Sequence, residues 1–319
     1  MSYLTITSCT NRKSKVGNDW HFSINEDGGS LLVSAIQWAT YVRGVIRSAV
    51  DVVKVSQLYQ GRSFTESVRV ARTLRARLLV VSAGLGLIDI EDLAFPYNLS
   101  VSDRDNALFR LISRTGSTNS QWWAALRNAG LGRGSIASIV EREAADGKVL
   151  IALPSTYLSM VSHDLISLSD ESLVRVRILT HPGSIAMLPQ RLQELVMPYD
   201  ERLQSIREFA GTRSDFAQRA LSHFVLGLGA HELPLESAKQ AVTRAMERLG
   251  HVKLPTRRRA ADEEILSHIA DHWDRTNGHG NRLLRVLRDD LLISCEQGRF
   301  QGLWRKYKAQ MDGAKENVT

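Results

Sequence analysis

Cysteine is scarce in this chain: Cys9 and Cys295 are the only two among 319 residues. Two thiols so far apart make neither a CxxC pair nor a Cys/His ladder, which argues against a structural zinc site and a disulfide framework. Long apolar runs are also missing. The run "LLVVSAGLGLI" is among the longest, well short of the roughly 20 residues that a spanning helix needs. No succession of basic, apolar and small residues opens the sequence as a secretion signal would. There is no internal repeat, and nothing of low complexity beyond the short loop "RTGSTNS". The expectation is a cytoplasmic protein with no membrane partner. At 43% apolar and 24% charged residues, the composition is globular and excludes a disordered or fibrous chain. The length fits one large domain or two ordinary ones.

What is present in excess is positive charge, a formal +7, which suits a polyanionic partner such as nucleic acid. Four apolar runs stand out as strands: "YLTIT" (3–7), "RLLVVS" (77–82), "KVLIAL" (148–153) and "VRVRILT" (174–180). "VVKVSQLY" (52–59) is a fifth candidate. The first three alternate little, as strands covered on both faces do. Helical patterns lie between them at 30–49, 65–78, 106–114 and 120–130. This order predicts an α/β domain over 1–200, a mainly parallel sheet with helices on both faces. From about residue 200 every segment reads as helical, predicting an all-helical, basic region over 201–319.

Each of the four runs ends in a polar or turn-forming cluster: Ser8-Cys9-Thr10-Asn11, then Ser82-Ala83-Gly84, then Pro154-Ser155-Thr156-Tyr157, then His181-Pro182-Gly183. Carboxyl ends of parallel strands share one edge, where open α/β folds bind ligands. The four clusters are therefore expected to converge. Within them, Cys9 is either a nucleophile served by His181 or a small buried residue. His181 is placed to polarise or protonate a leaving group. Asp89, Glu91 and Asp92 offer a general base, or simply a solvated loop. "SAGLGLIDIED" lacks the third glycine and the acid spacing of a dinucleotide fingerprint. His268 and His272 lie one helical turn apart, but no HExxH pattern or obvious third ligand accompanies them, so no metal is expected. In "RFQGLWRKYK", Phe300, Trp304 and Tyr307 share a face that belongs in a core, leaving cations to face phosphates.

"SCTNRK", "LYQGRSF" and "VVSAGLGLIDIEDLAFPYNLS" resemble bacterial domains with an SCxxRK start and an SAxxGL…PY motif, relatives of the uracil-DNA-glycosylase-like domains attached to tRNA-guanine transglycosylases. "THPGS" resembles the last loop of the uracil-DNA glycosylase superfamily. The sequence departs from that pattern in its first loop, which lacks the acidic water-binding motif, and at Asn98, where the family often has Asp. The resemblance covers about residues 1–200 and implies a monofunctional DNA glycosylase that flips a modified base out of duplex DNA and needs no cofactor. Glucosylated hydroxymethylcytosine in phage DNA is the base it suggests, with a role in antiviral defence. In that reading Asn11 or Asp89 positions water and His181 stabilises the departing base. Ser8, Cys9, Ser82, Gly84, Tyr97, Ser155 and Tyr157 shape the base pocket. Arg12, Lys13, Arg62, Arg258, Arg305 and Lys306 hold the DNA backbone. Lys13 could also form a Schiff base, although a cation beside phosphate is the plainer role. An enzyme of free nucleosides or nucleotides, and a non-catalytic nucleic-acid-binding module, remain alternatives. The sequence does not fix the oligomeric state.

Overall fold

The computed structural model describes residues 2–14, 29–143, 147–250 and 256–316. The chain divides into two compact units, 1–252 and 253–319.

The first unit is built on five strands: β1 (Tyr3–Ser8), β2 (Arg77–Ser82), β3 (Gly86–Asp89), β4 (Lys148–Ala152) and β5 (Val176–Leu179). Their order across the sheet is β3-β2-β1-β4-β5. Four are parallel, and β3 returns antiparallel beside β2, with Ser82 opposite Gly86 and Leu79 opposite Asp89. All residues of β4 and β5 are buried, as expected where helices cover both faces. β1 lies in the middle. The chain moves from it to β2 on one side, then crosses to β4 on the other, so the sheet's switch point falls between β1 and β4.

Two apolar layers flank the sheet. On one face Leu4, Ile6, Val149, Ile151 and Ile178 pack with helices α1 (Leu31–Ser48), α3 (Asn119–Asn128) and α4 (Ser155–Ile166). Ser30 caps α1 by accepting from the Val33 amide, and Thr118 and Gln121 close a capping box on α3, satisfying amides that have no partner within the helix. On the other face Leu150, Ala152 and Leu179 meet Phe216, Ala217, Ala220 and Leu221. These last four lie on α5 (Phe216–Ser222), a helix buried at every residue and packed beside α2 (Arg62–Leu74). The division between units therefore falls later than residue 200. The stretch 201–250 supplies a layer that the sheet needs, with α6 (Leu235–Glu247) adding Ala238, Val242 and Met246 to the same core.

Two further expectations change. Of 52–59, only Val53–Lys54 is strand, paired with Leu93–Ala94; Val55–Leu58 forms a helical turn that buries Val55 and Leu58. "GLID" is strand β3 rather than loop, because the turn at 83–85 doubles the chain back against β2.

The second unit has its own core of Ile265, Ile269, Leu283, Leu287, Ile293 and Phe300. Its helices are α7 (Asp262–Asp271), α8 (Gly280–Arg285) and α9 (Gln297–Glu316). It is not wholly helical, since Arg258–Arg259 pairs with Ile293–Ser294. Phe300 is buried, Trp304 and Tyr307 pack against that core, and Arg305, Lys306 and Lys308 are exposed. No helix among the described residues is long and apolar enough to cross a membrane.

Candidate active site

β1 ends at Ser8, and the next residues cross the carboxyl edge of the sheet. The Cys9 amide bonds the Val81 carbonyl of β2 at 2.9 Å. The chain then pairs with the segment around Tyr59. Gln60 donates to the Arg12 carbonyl at 2.9 Å, Ser14 donates to the Leu58 carbonyl at 2.8 Å, and Lys13 bridges Tyr59. The loop is thus fastened at both ends, and Cys9 and Lys13 are held at the carboxyl edge of the sheet, beside the end of β2.

Four polar side chains from other elements meet them. Ser82, at the end of β2, accepts from the amides of Gly84 and Leu85 at 3.2 and 2.9 Å, and its hydroxyl lies 2.5 Å from that of Tyr97. The hydroxyls of Tyr97 and Tyr59 are 2.7 Å apart. On the β4 side, the Tyr157 hydroxyl is 3.1 Å from Cys9 Sγ. Lys13 Nζ stands 4.4 Å from the centre of the Tyr97 ring and 5.9 Å from that of Tyr59. Gly84 lets the Tyr97 ring approach: a β-carbon there would lie 2.6 Å from Tyr97 Cε2. The turn is held from behind by two indoles, Trp38 Nε1 donating to the Gly84 carbonyl and Trp122 Nε1 to that of Ala83 at 2.8 Å.

Beneath Ser8 lies Gln218 of α5, fully buried. Its Nε2 donates to the Ala152 carbonyl at 3.0 Å and sits 3.3 Å from Thr7 Oγ1 and 3.5 Å from Ser8 Oγ. Its Oε1 is buried without a partner among the described residues.

The electrostatics follow from burial. All three phenols are pushed above the ordinary tyrosine value, first by desolvation and then by the charge that Cys9 would carry as a thiolate. They therefore stay protonated and act as hydrogen-bonding groups. Desolvation pulls Lys13 below the usual lysine value, and Cys9 opposes that pull. The cluster thus combines aromatic faces, neutral hydroxyls and one partly desolvated amine, without a carboxylate among these groups.

Of the base-pocket residues expected from sequence, Ser8, Cys9, Ser82, Gly84, Tyr97 and Tyr157 belong to this region, and Ser155 begins α4 two residues before Tyr157. The expected catalytic trio does not assemble. Asp89 is carried away from the carboxyl edge because β3 runs antiparallel; its carboxylate pairs with Arg77 Nε at 2.7 Å, near the start of β2. Asn11 is exposed on the outer side of the first loop. His181 does follow β5, but its Nδ1 accepts from the Gly183 amide at 3.1 Å, its Nε2 is 3.4 Å from Glu201, and its ring stands edge-on to Phe216. Desolvation first and then Arg213 pull its pKa down, against Glu201. Two expected phosphate clamps are occupied elsewhere. Arg62 donates to the carbonyls of Glu208 and Ala210, and Arg258 pairs with Glu264. Arg12, Arg305 and Lys306 are exposed.

Tyr59 and Gln218 were not anticipated. Tyr59 sits in "LYQGRSF", whose pattern is visible in sequence; Gln218 comes from a helix 211 residues beyond Thr7 and has no local signal. Comparison with family models, curated proteins and solved structures finds no match for this chain.

Proposed function

We propose that this protein is a DNA glycosylase that hydrolyses the N-glycosidic bond of a modified base, with Lys13, Tyr59, Ser82, Tyr97 and Tyr157 at its centre. The observation that carries the reading is the convergence of these groups at the carboxyl edge of the sheet, over the ends of β1 and β2, with Tyr157 reaching Cys9 from the β4 side. Cleaving an N-glycosidic bond leaves electron density on the departing base and a cationic sugar. A base needs a flat apolar face to stack on and hydroxyls to bond its edge, which tyrosine rings and Ser82 supply. The Lys13 ammonium, partly desolvated, neutralises the leaving base more strongly than the same charge in water. Unlike Asp89, these residues need no movement along the sheet to act together.

A second feature supports a polymeric substrate. Beside Tyr59 a groove of about 370 Å³ runs along α2, lined by Phe64, Thr65, Val68, Arg69 and Arg72. Arg72 there is exposed and suits a phosphate backbone, Arg69 being held by Glu66 at 2.7 Å, and the exposed Arg12 adds positive charge on this unit; Arg305 and Lys306 are exposed on the second unit. The substrate suggested from sequence, glucosylated hydroxymethylcytosine of phage DNA, remains the first base to try.

The test is abasic-site formation, read with an aldehyde-reactive label on unmodified duplex, uracil-containing duplex and duplex bearing glucosylated hydroxymethylcytosine. Label on the modified duplex, lost in Lys13→Met and Tyr97→Ala, is the expected result. No label on any duplex, with salt-sensitive binding intact, would overturn the reading in favour of a binding module.

A further inference from the structure

We propose that Lys13 is also a covalent nucleophile, forming an imine with the sugar aldehyde of an abasic site and so giving the protein a strand-cleaving lyase activity. The source of that aldehyde rests on the glycosylase reading; the amine chemistry rests on how the pocket holds Lys13.

The other lysines with recorded partners spend their amines on them. Lys54 pairs with Glu91 at 2.6 Å and Lys239 with Glu236 at 2.8 Å. Lys148 donates to the carbonyls of His231 and Leu233. Lys13 and Lys308 differ: among the described residues no carboxylate pairs with either amine, and Lys308 faces the Trp304 ring on the second unit while Lys13 faces the Tyr97 and Tyr59 rings beside Ser82 and Cys9. The Lys13 backbone is fixed by the bonds of Arg12 and Ser14 to the Tyr59 segment, so the amine is held over the two rings rather than free to roam. The groups that face it and bear on its charge are Cys9 from the β1 loop, Tyr59, and Tyr97. The last two stay neutral, and desolvation favours the free amine over the ammonium. A desolvated lysine is the usual form of an imine-forming residue.

The steps balance. The ammonium first gives a proton to the departing base, which leaves neutral, and becomes an amine. Water completes hydrolysis at C1′, and the sugar opens to its aldehyde. The amine nitrogen then adds to C1′, and the carbonyl oxygen leaves as water, carrying the two protons that the nitrogen gives up. Loss of the C2′ proton to solvent expels the 3′ phosphate as the C3′–O bond breaks. Hydrolysis of the imine restores Lys13.

The experiment presents the full chain with duplex containing a preformed abasic site, so base excision is not required, and adds borohydride to reduce any imine to a stable amine. Peptide mass spectrometry then locates the adduct. The expected result is an adduct on Lys13 that falls to background in Lys13→Arg. That variant keeps a cation, but its guanidinium does not lose a proton in this pH range, and its duplex binding is measured alongside so that the trapping is compared at equal occupancy. An adduct on another lysine, an undiminished adduct in Lys13→Arg, or no adduct on the preformed site at any DNA concentration overturns the proposal. Failure of the glycosylase reading would appear separately, as trapping on the preformed site without label on the modified duplex.

Discussion

Gly84 and Tyr97 give the sharpest test of the candidate site. Gly84 does not occupy the left-handed backbone region, so alanine fits its backbone and only its neighbours resist. The new methyl group would lie 2.6, 2.9 and 3.2 Å from Tyr97 Cε2, Cδ2 and Cζ. The ring must then swing away, breaking the contacts of its hydroxyl with Ser82 and Tyr59 and withdrawing its face from Lys13. Overpacking of this kind costs about 1–3 kcal/mol, and each lost hydrogen bond adds about 1 kcal/mol. The expected loss is therefore about 3–5 kcal/mol, a fall in Tm on the order of 6–20 °C for a domain of this size. The assay is urea denaturation of four proteins: wild type, Gly84→Ala, Tyr97→Ala and the double variant. If the ring is the obstacle, Gly84→Ala costs under about 0.5 kcal/mol once Tyr97 is alanine, because the two sites are coupled. Equal costs in both backgrounds would refute the steric argument and the placement of the ring with it.

Ser82→Ala removes the acceptor of two buried amides and a phenol partner; a loss of about 2–4 kcal/mol is expected from the desolvated groups left behind, checked by the same denaturation. Arg219 is fully buried, bonded to Asp215 at 2.7 Å and to the carbonyls of Phe209 and Thr212. Arg219→Leu strands Asp215 and should cost about 3–5 kcal/mol, most of which Asp215→Asn in the same chain should restore. Burial lowers the pKa of His181, His223 and His231. The unfolded chain then binds protons at a pH where the folded chain does not. The stability due to these neutral rings is full above the unfolded value of about 6.5 and is lost as pH falls below it. Urea midpoints should drop between pH 7.5 and 5.5, with a shallower slope in a His223→Phe, Tyr199→Phe double variant, which removes a buried 2.9 Å pair; an unchanged slope would remove His223 from the account.

How far the sequence led depended on whether the information was local. The runs at 3–7, 77–82 and 148–153 were legible as buried strands because a strand covered on both faces needs apolar residues at nearly every position, and 174–180 was legible as a strand from its β-branched residues. Their polar ends were legible as one edge because parallel strands share direction. Asp89 was misjudged because a three-residue turn, Ala83-Gly84-Leu85, decides whether the next residues continue outward or return, and the return sends Asp89 to the far end of the sheet. The boundary at 200 failed for a related reason. An amphipathic pattern says that a helix buries a face, but not against what, and α5 buries its residues against the sheet. Gln218 reaches the site only through that packing, so no window of sequence around it could show its role.

The central place of β1 also governs the order in which the domain can be completed during synthesis. β1 is made before both of its neighbours, yet Leu4 pairs with Arg77 and Tyr3 with Lys148. The last layer over it, bearing Gln218, comes later still. Until residue 152 has emerged from the ribosome, the strand that carries Ser8 and leads into Cys9 and Lys13 lacks one partner, and that open edge is available to other chains. Topologies closed by such distant pairings fold slowly and are exposed to aggregation in the interval. The same crossover thus leaves a strand edge unpaired in the nascent chain, and the sheet's second face uncovered until α5 is made.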